Sequence, residues 1–340
     1  MPSSKPVWKL IGVVAVAIVV VALVAMGVWN GLGEPAQAKK NKVVIAQYGD
    51  VFIYAPLYVA IDGGYFAEEG LDVSLVTTGG DEKTWAAVIS GSASFGVADP
   101  TFVAISDERG LPGKVIASIV NSVPFWGVTL RKDIAPFKSK ADLSTYTVGT
   151  FPSPSTAYTL QRKMFNDAGK EPRIREGAFG TLITMLKIGQ VDIALELEPN
   201  VSQVVADGGT VVYSLSEIYG DFALTGLTAT PEFLSKHPEL AQKVVNGLQK
   251  ALNAIRSDRE RALAILAKRF PEIDHSIAKA ALDHVVKGNI IPSTVQISEE
   301  AWNKAINLRV EIGDLKNPKA FSVYVDNTFA QAASDVLSPK

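Results

Sequence analysis

The sequence predicts two similar α/β lobes, because one order of elements occurs twice in the chain. A glycine, an amphipathic stretch, a second glycine, an apolar strand, an acid–proline pair and a further helix follow one another in residues 80–103 and again in residues 180–205. The two pairs are Asp99-Pro100 and Glu198-Pro199. A chain of 340 residues is long enough for two domains with separate hydrophobic cores. Two facing lobes are suited to holding a small molecule between them.

The composition is that of a globular protein, with 47% hydrophobic and 20% charged residues. The formal net charge is −2 and there is no basic stripe, so no nucleic-acid partner is expected. The chain has no cysteine. This excludes disulfides, thiolate metal sites, a cysteine nucleophile and a lipidated N-terminal cysteine.

The first 38 residues have the pattern of an export signal. Lys5 and Lys9 precede an uncharged apolar run, Leu10–Trp29, and Ala36-Gln37-Ala38 provides a cleavage site. Twenty apolar residues could also span a bilayer. Two interpretations therefore stay open, cleavage after Ala38 or retention of residues 10–29 as a membrane anchor. Both place the globular part outside the cytoplasmic membrane, in the periplasm or an equivalent extracytoplasmic space.

Strands and helices alternate in the first half of the globular part. The helix at Leu57–Glu69 begins after Pro56 and ends at Gly70, a favourable start and stop. Alternation of this kind implies right-handed crossovers and a mostly parallel sheet. The other predicted elements are strands Val43–Gln47, Asp72–Val76, Phe95–Ala98 and Val115–Ile119, and helices Asp81–Ser90 and Thr101–Arg109.

The second half repeats the alternation and is followed by helices alone. Extended segments at Ser122–Arg131 and Asp221–Thr230 are interpreted as two crossings between lobes. We therefore expect a discontinuous first lobe (39–128 plus 226–340) and a second lobe (129–225). The predicted elements are strands Thr147–Thr150, Ile193–Leu197 and Val211–Tyr213, helices Thr156–Ala168, Thr181–Ile188 and Asn200–Val205, and tail helices Pro238–Ile255, Asp258–Phe270, Asp274–Val286 and Ser298–Ile312.

Acidic residues follow the predicted strands at the edge where open α/β sheets bind ligands. Asp99 could face a ligand or could simply cap the helix that follows it. Glu198 is a poorer helix cap, and Glu196 lies on the same face of the same strand. Buried carboxylates on one face need solvent or a polar ligand. We therefore predict that these three acids take part in ligand binding.

Small polar residues and glycines follow other strands. In the segment Phe151–Thr156, the hydroxyl groups of Ser153, Ser155 and Thr156 stand at a helix start and could bind an anionic or carbonyl group, or could cap the helix. Gly79 and Gly80 allow close backbone approach, although a glycine pair is equally typical of a plain turn.

Aromatic residues are abundant in the predicted turns that lead from a strand into the next helix, whereas lysine and arginine are absent from those turns. The aromatic candidates for the ligand site are Tyr48, Phe52, Phe125, Trp126 and Phe151. A cleft lined in this way favours a flat ring whose N–H groups donate hydrogen bonds to the acids. The three histidines are in the helical tail without metal-ligand spacing, and no nucleophile or acid–base motif is present. We expect a binding protein without enzymatic activity, metal or cofactor.

Two segments resemble a known family. The run APLYVAIDGGYFAEEGLDVSLV (Ala55–Val76) and the run Ile188–Ala194 with Glu198-Pro199 are similar to signatures of periplasmic substrate-binding proteins of the nitrate/sulfonate/bicarbonate group, relatives of thiamine-pyrimidine-precursor binders. The resemblance extends over residues 43–256. It implies a type II periplasmic-binding-protein fold, with two α/β lobes joined by two crossing strands and a helical C-terminal extension. The implied partners are a small-molecule solute and the membrane permease and ATPase of an ABC importer, with the chain acting as a monomer.

The resemblance also carries ligand positions onto this chain. Pro152 and Pro154 replace the usual glycines of one loop, which weakens the inference of an anion contact there. The family favours alkylsulfonates such as taurine, or nitrate, whereas the cleft composition favours a nitrogen heterocycle or another aromatic solute. A membrane-anchored sensor ectodomain is an alternative of another class. The ligand positions implied by motif are Tyr48, Gly79-Gly80, Asp99, Trp126, Ser155-Thr156 and Glu198.

Overall fold

The computed structural model describes residues 40–143, 145–153 and 155–337. The export signal predicted at residues 1–38 and the substitution at Pro154 lie outside the described residues. Within the described ranges, no helix is both long and apolar enough to cross a membrane.

The first sheet has five strands in the order β2-β1-β3-β10-β4. Strand β10 runs antiparallel to both of its neighbours, while β1 is parallel to β2 and β3. The expected parallel sheet is thus present with one inserted strand of opposite direction. The strands are β1 (Asn41–Gln47), β2 (Leu71–Thr77), β3 (Phe95–Ala98), β4 (Lys114–Ser122) and β10 (Asp221–Ala229).

The second sheet also has five strands, in the order β7-β6-β8-β5-β9. Here β5 is the antiparallel strand, between β8 and β9. The two antiparallel strands, β5 and β10, come from the segments predicted to cross between lobes, and each enters its sheet from the opposite half of the chain. The strands are β5 (Trp126–Thr129), β6 (Val148–Thr150), β7 (Ile174–Glu176), β8 (Ile193–Glu196) and β9 (Thr210–Ser214).

Helices connect the strands of the first sheet. The single helix expected at Leu57–Glu69 is wrong, because Gly64 adopts a φ of 84° and divides it in two. Such a conformation ends a right-handed helix and is accessible to glycine at little cost. The helices are a 3₁₀ turn at Phe52–Tyr54, α1 (Ala55–Asp62), α2 (Tyr65–Glu68), α3 (Asp81–Ile89) and α4 (Phe102–Asp107).

The second sheet has its own connecting helices. Ser155 caps the first of the α-helices, since its hydroxyl oxygen accepts a hydrogen bond from the backbone N–H of Tyr158 at 3.3 Å. The helices are a 3₁₀ turn at Lys140–Leu143, α5 (Thr156–Asp167), α6 (Leu182–Lys187), α7 (Asn200–Ala206) and α8 (Leu215–Tyr219).

The tail is helical, and its four predicted helices are confirmed to within two residues as α10 to α13. Helix α10 packs on α1 and α2, and α13 packs on β10, whereas α12 contacts α7 beside the second sheet. The tail thus contacts both halves of the fold. Its helices are α9 (Pro231–Lys236), α10 (Pro238–Ser257), α11 (Arg259–Arg269), α12 (His275–Lys287), α13 (Glu299–Glu311), α14 (Phe321–Tyr324) and α15 (Thr328–Leu337).

Candidate functional site

A cavity of about 110 Å³, part of it open to solvent, lies between the two sheets. Its walls come from the ends of β1, β3, β6 and β8 and from the helix starts that follow them. The lining residues are Tyr48, Val51, Ile53, Tyr54, Asp81, Asp99, Phe125, Phe151, Ser155, Thr156, Ala157, Phe179, Leu197, Leu224 and Thr225.

Three phenylalanines form a continuous aromatic wall on the side of the second sheet. The rings of Phe125 and Phe151 are 6.1 Å apart, and those of Phe151 and Phe179 are stacked at 5.7 Å. Phe125 and Phe151 are buried, whereas Phe179 is 55% exposed. Aromatic faces with room beside them can stack on a flat ligand. The wall includes two of the predicted residues, Phe125 and Phe151.

Asp99 lines the cavity, but its carboxylate already has partners. Its Oδ1 accepts hydrogen bonds from the backbone N–H and the hydroxyl of Thr101, at 2.8 and 2.6 Å. Its Oδ2 pairs with Nη2 of Arg309 at 2.6 Å and accepts a bond from the Thr156 hydroxyl at 3.3 Å. Asp99 thus holds Thr101, the residue that precedes α4, and forms a buried ion pair with Arg309.

Asp81 lines the same cavity at the start of α3. Its Oδ1 accepts a hydrogen bond from the backbone N–H of Asp99 at 3.0 Å. Burial raises the pKa of Asp81 to about 7, and the nearby charge of Asp99 acts in the same direction. Asp81 thus presents to the cavity a carboxyl group that titrates near neutral pH.

Hydroxyl groups also line the cavity. Ser155 and Thr156 stand at the start of α5, where backbone N–H groups also point towards the cavity end of the helix. The Thr156 hydroxyl donates to Asp99, so this bond joins the second sheet's first helix to the first sheet. The structure thus brings together six predicted residues in one cavity: Tyr48, Asp99, Phe125, Phe151, Ser155 and Thr156.

Glu196 does not line this cavity, because its side chain is fully buried at the end of β8. Its Oε2 accepts hydrogen bonds from the backbone N–H of Leu197 and from Nδ2 of Asn200, at 3.2 and 3.1 Å. Its Oε1 has no hydrogen-bond partner among the described residues. Burial raises the pKa of Glu196 to about 7, since the charged form loses its hydration.

Glu198 and Trp126 meet the helical tail instead of the cavity. Glu198 accepts bonds from the backbone N–H and the hydroxyl of Ser202, both at 3.0 Å, and lies 2.5 Å from Nδ1 of His284 on α12. The Trp126 ring packs on the same imidazole with centroids 4.4 Å apart. His284 thus contacts two of the candidate ligand residues, Glu198 and Trp126.

The remaining predicted residues also lie away from the cavity lining. Phe52 is 2% exposed and packs on Phe270. Gly79 and Gly80 form the turn before α3, where Gly79 has a φ of 76° and the carbonyl oxygen of Gly80 accepts a hydrogen bond from the Thr84 hydroxyl. Ser153 is exposed, and its backbone N–H donates to Glu176. In this structure Gly79 and Gly80 thus form a plain turn.

Several lining residues were not among the predicted ones. Asp81 begins one predicted helix and Phe179 lies two residues before another, so their positions at helix starts were the available signal. Leu224 and Thr225 lie in the middle of β10, which joins the sheet from a distant part of the chain. Arg309, the ion-pair partner of Asp99, lies on α13, and no sequence pattern around it indicated a position near the cavity. In the described part of the chain, no cluster of metal-ligating side chains occurs.

Sequence comparison identifies a family. Residues 52–262 match the family described as NMT1/THI5 like. The protein YtlA of Bacillus subtilis (strain 168) is 23% identical over 300 residues, which cover 86% of this chain and 89% of YtlA. The riboflavin-binding protein RibY of Chloroflexus aurantiacus is 23% identical over 247 residues, which cover 70% of this chain and 69% of RibY.

Comparison with solved structures identifies the fold. The periplasmic aliphatic sulphonate binding protein SsuA of Escherichia coli superposes with a TM-score of 0.67 at 17% identity. The match covers 85% of this chain and 92% of the SsuA chain. At this identity the likeness shows a shared periplasmic-binding-protein fold.

Proposed function

Since the chain belongs to the NMT1/THI5-like family and has the periplasmic-binding-protein fold, we propose that it is an extracytoplasmic solute-binding protein that delivers a small organic solute to an ABC importer. It is a binding protein and not an enzyme. The observation that carries the proposal is the cavity between the two sheets, to which both halves of the fold contribute side chains. A ligand in this position contacts both halves at once and therefore stabilises the closed form, in which the two halves lie close to each other.

The ligand we propose is a planar, aromatic solute such as a nitrogen heterocycle. The wall of Phe125, Phe151 and Phe179 supports this proposal, because it offers ring faces beside open space. The binding of riboflavin by the relative RibY agrees with it. Tyr48 would close the opposite side of the ring.

A sulfonate or a similar anion is the second candidate ligand. The start of α5, with the hydroxyls of Ser155 and Thr156, supports it, since helix N-termini attract anions. The fold neighbour SsuA binds aliphatic sulphonates. No lysine or arginine is among the lining residues of the cavity, so an anion would have only dipoles and hydroxyls for charge compensation.

A thermal-shift screen tests the proposed function. The purified protein is unfolded and refolded to remove bound solute, and is then heated with pyrimidines, flavins and aromatic acids or with taurine, alkylsulfonates and nitrate. A ligand at 100 times its dissociation constant adds about 2.7 kcal/mol of stability, which raises Tm by a few degrees. Stabilisation by rings alone supports the planar ligand, and stabilisation by sulfonates alone supports the second candidate. No shift with any solute contradicts the proposed function.

Export and attachment to the membrane form a separate part of the proposal. We infer that residues 1–38 direct the chain out of the cytoplasm, and that residues 10–29 either are removed or anchor it as a monomer beside its permease. N-terminal sequencing of the exported protein distinguishes the two. A start at Lys39 indicates cleavage, whereas an intact N-terminus indicates an anchor and keeps the sensor-ectodomain alternative open.

A further inference from the structure

The two carboxyl groups at the cavity differ in what they can still bind. Both carboxylate oxygens of Asp99 already accept hydrogen bonds. Two of these bonds come from Thr101, one from Arg309 and one from Thr156. A ligand N–H that approached Asp99 would have to displace one of these partners. Asp99 is therefore occupied as a structural group.

The positive charge that pairs with Asp99 already has its own partners. The guanidinium of Arg309 is only 5% exposed, and it bonds to Asp99, to the Thr101 hydroxyl at 3.0 Å and to Asp314 at 3.0 Å. Two carboxylates thus compensate one guanidinium. Arg309 is not among the lining residues, so its charge does not serve a ligand anion.

Asp81 remains as the carboxyl group with a free acceptor. Its Oδ1 accepts the backbone N–H of Asp99, whereas its Oδ2 has no hydrogen bond to any of the described residues. The side chain lines the same cavity as the three phenylalanines of the wall, and it belongs to the first sheet's half of the fold whereas they belong to the second. An acceptor at this place can bind an N–H group at the edge of a ring that stacks on the wall.

We propose that Asp81 is the specificity-determining residue of the cavity, and that it selects planar ligands carrying an N–H donor or a cationic nitrogen over anionic ligands of the same size. This inference rests on the proposed function and adds the charge class of the ligand to it. A sulfonate in the same position would face the carboxyl group of Asp81 without a cation to balance it.

A dependence of affinity on pH follows from the environment of Asp81. The ionisable groups around it are Asp99 after β3, Arg309 on α13, Glu82 on its own helix, and Tyr48 and Tyr54 from the first sheet's edge. Burial raises the pKa of both tyrosines above 10, so they stay neutral near pH 7. The pKa of Asp81 is about 7, and a ligand N–H needs the ionised form. Affinity should therefore fall about tenfold per pH unit below this value and level off above it.

The test measures dissociation constants by calorimetry for three probes of similar size, namely 4-aminopyrimidine, 4-methylpyrimidine and benzenesulfonate. Wild type should bind 4-aminopyrimidine at least tenfold more tightly than either of the other probes. Asp81→Asn should lose this preference and its pH dependence, because the amide places a donor where the carboxylate accepted. Asn still offers an oxygen to the backbone N–H of Asp99, which preserves the local fold. Asp72→Asn, the same chemical change at an exposed residue of β2, is the matched control and should bind within threefold of wild type.

The outcomes separate this inference from the proposed function. If wild type prefers benzenesulfonate, or if Asp81→Asn binds 4-aminopyrimidine as tightly as wild type, the role of Asp81 is overturned while a solute-binding function stands. If the thermal-shift screen identifies only alkylsulfonates or nitrate, the N–H class is overturned. If no solute of the screen stabilises the protein, the proposed function itself fails.

Discussion

At the scale of single residues, four acids that follow strands in similar sequence contexts have four different environments. Asp99 is paired with an arginine, Glu198 with a histidine, Glu196 has one oxygen without a partner, and Asp81 faces the cavity. Because a buried charge is costly without a partner, these environments decide whether each acid stabilises the fold or serves a ligand.

Glu196 should make the protein less stable as the pH rises. Its pKa is about 7 in the folded chain and lies above its ordinary value, so the folded state holds a proton that the unfolded state loses between about pH 4.5 and 7. From pH 5 to 8, Glu196→Gln should gain about 2–3 kcal/mol in free energy of unfolding relative to wild type. Urea unfolding at both pH values measures this. The exposed Glu217→Gln is the control, and an equal change in both variants would contradict the prediction.

Arg309 should be essential for stability because it compensates Asp99 inside the fold. Arg309→Met leaves a buried carboxylate without its cation and should cost about 3–5 kcal/mol, measured by urea unfolding. The double variant Asp99→Asn with Arg309→Met should recover part of this loss. Arg162→Met, at an exposed site on α5, should change stability by less than about 0.5 kcal/mol. A double variant as unstable as the single one would refute the ion-pair explanation.

At the scale of elements, glycines and capping residues decide where helices begin and end. The α1–α2 break at Gly64 has a φ of 84°, and a Cβ added there would meet nothing within 4 Å. The requirement for glycine is therefore conformational and not steric. The sequence signals for α5, with Ser155 as its cap, and for the tail helices were reliable. Each of these signals depends only on neighbouring residues.

Gly64→Ala should accordingly destabilise the protein by about 1–2 kcal/mol, since an L-residue in the left-handed region costs that amount. Gly49 is a matched control, because a Cβ there also meets nothing within 4 Å and its φ is not positive. Gly49→Ala should leave the free energy of unfolding nearly unchanged. Thermal and urea unfolding of the two variants provide the comparison, and equal effects would exclude the conformational explanation.

At the scale of the whole molecule, side-chain bonds join elements of the two halves around the cavity. Thr156 bonds to Asp99, Glu198 to His284 at 2.5 Å, and Lys163 on α5 to Glu311 on α13 at 3.2 Å. The helical tail supplies two of these partners, although it follows the second sheet in sequence. We interpret these bonds as contacts that hold the two halves close to each other.

Removing two of these contacts should favour an open form. In the ligand-free protein, His284→Ala combined with Glu311→Ala should raise the radius of gyration above that of wild type, which we expect to be about 20 Å for a compact chain of 340 residues. A bound solute should reverse the increase, because it bridges both halves again. Small-angle X-ray scattering measures both states. The pair Glu232→Ala and Lys236→Ala, an exposed ion pair within α9, is the control and should leave the radius unchanged.

The sequence by itself determined the two α/β halves, the crossing segments and most helix boundaries, because these depend on hydrophobic periodicity and on caps within a few residues. It also indicated the edge at which the cavity lies, since ligand-binding turns follow strands, and Tyr48, Phe125 and Phe151 line the cavity. Their contact with a ligand stays a prediction. Only the tertiary structure decided which acids face the cavity. The partners of Asp99 and Glu198 are Arg309 and His284, which come from 210 and 86 positions away in the chain. Side-chain pairing over such distances depends on how the helical tail packs, and no local pattern encodes it.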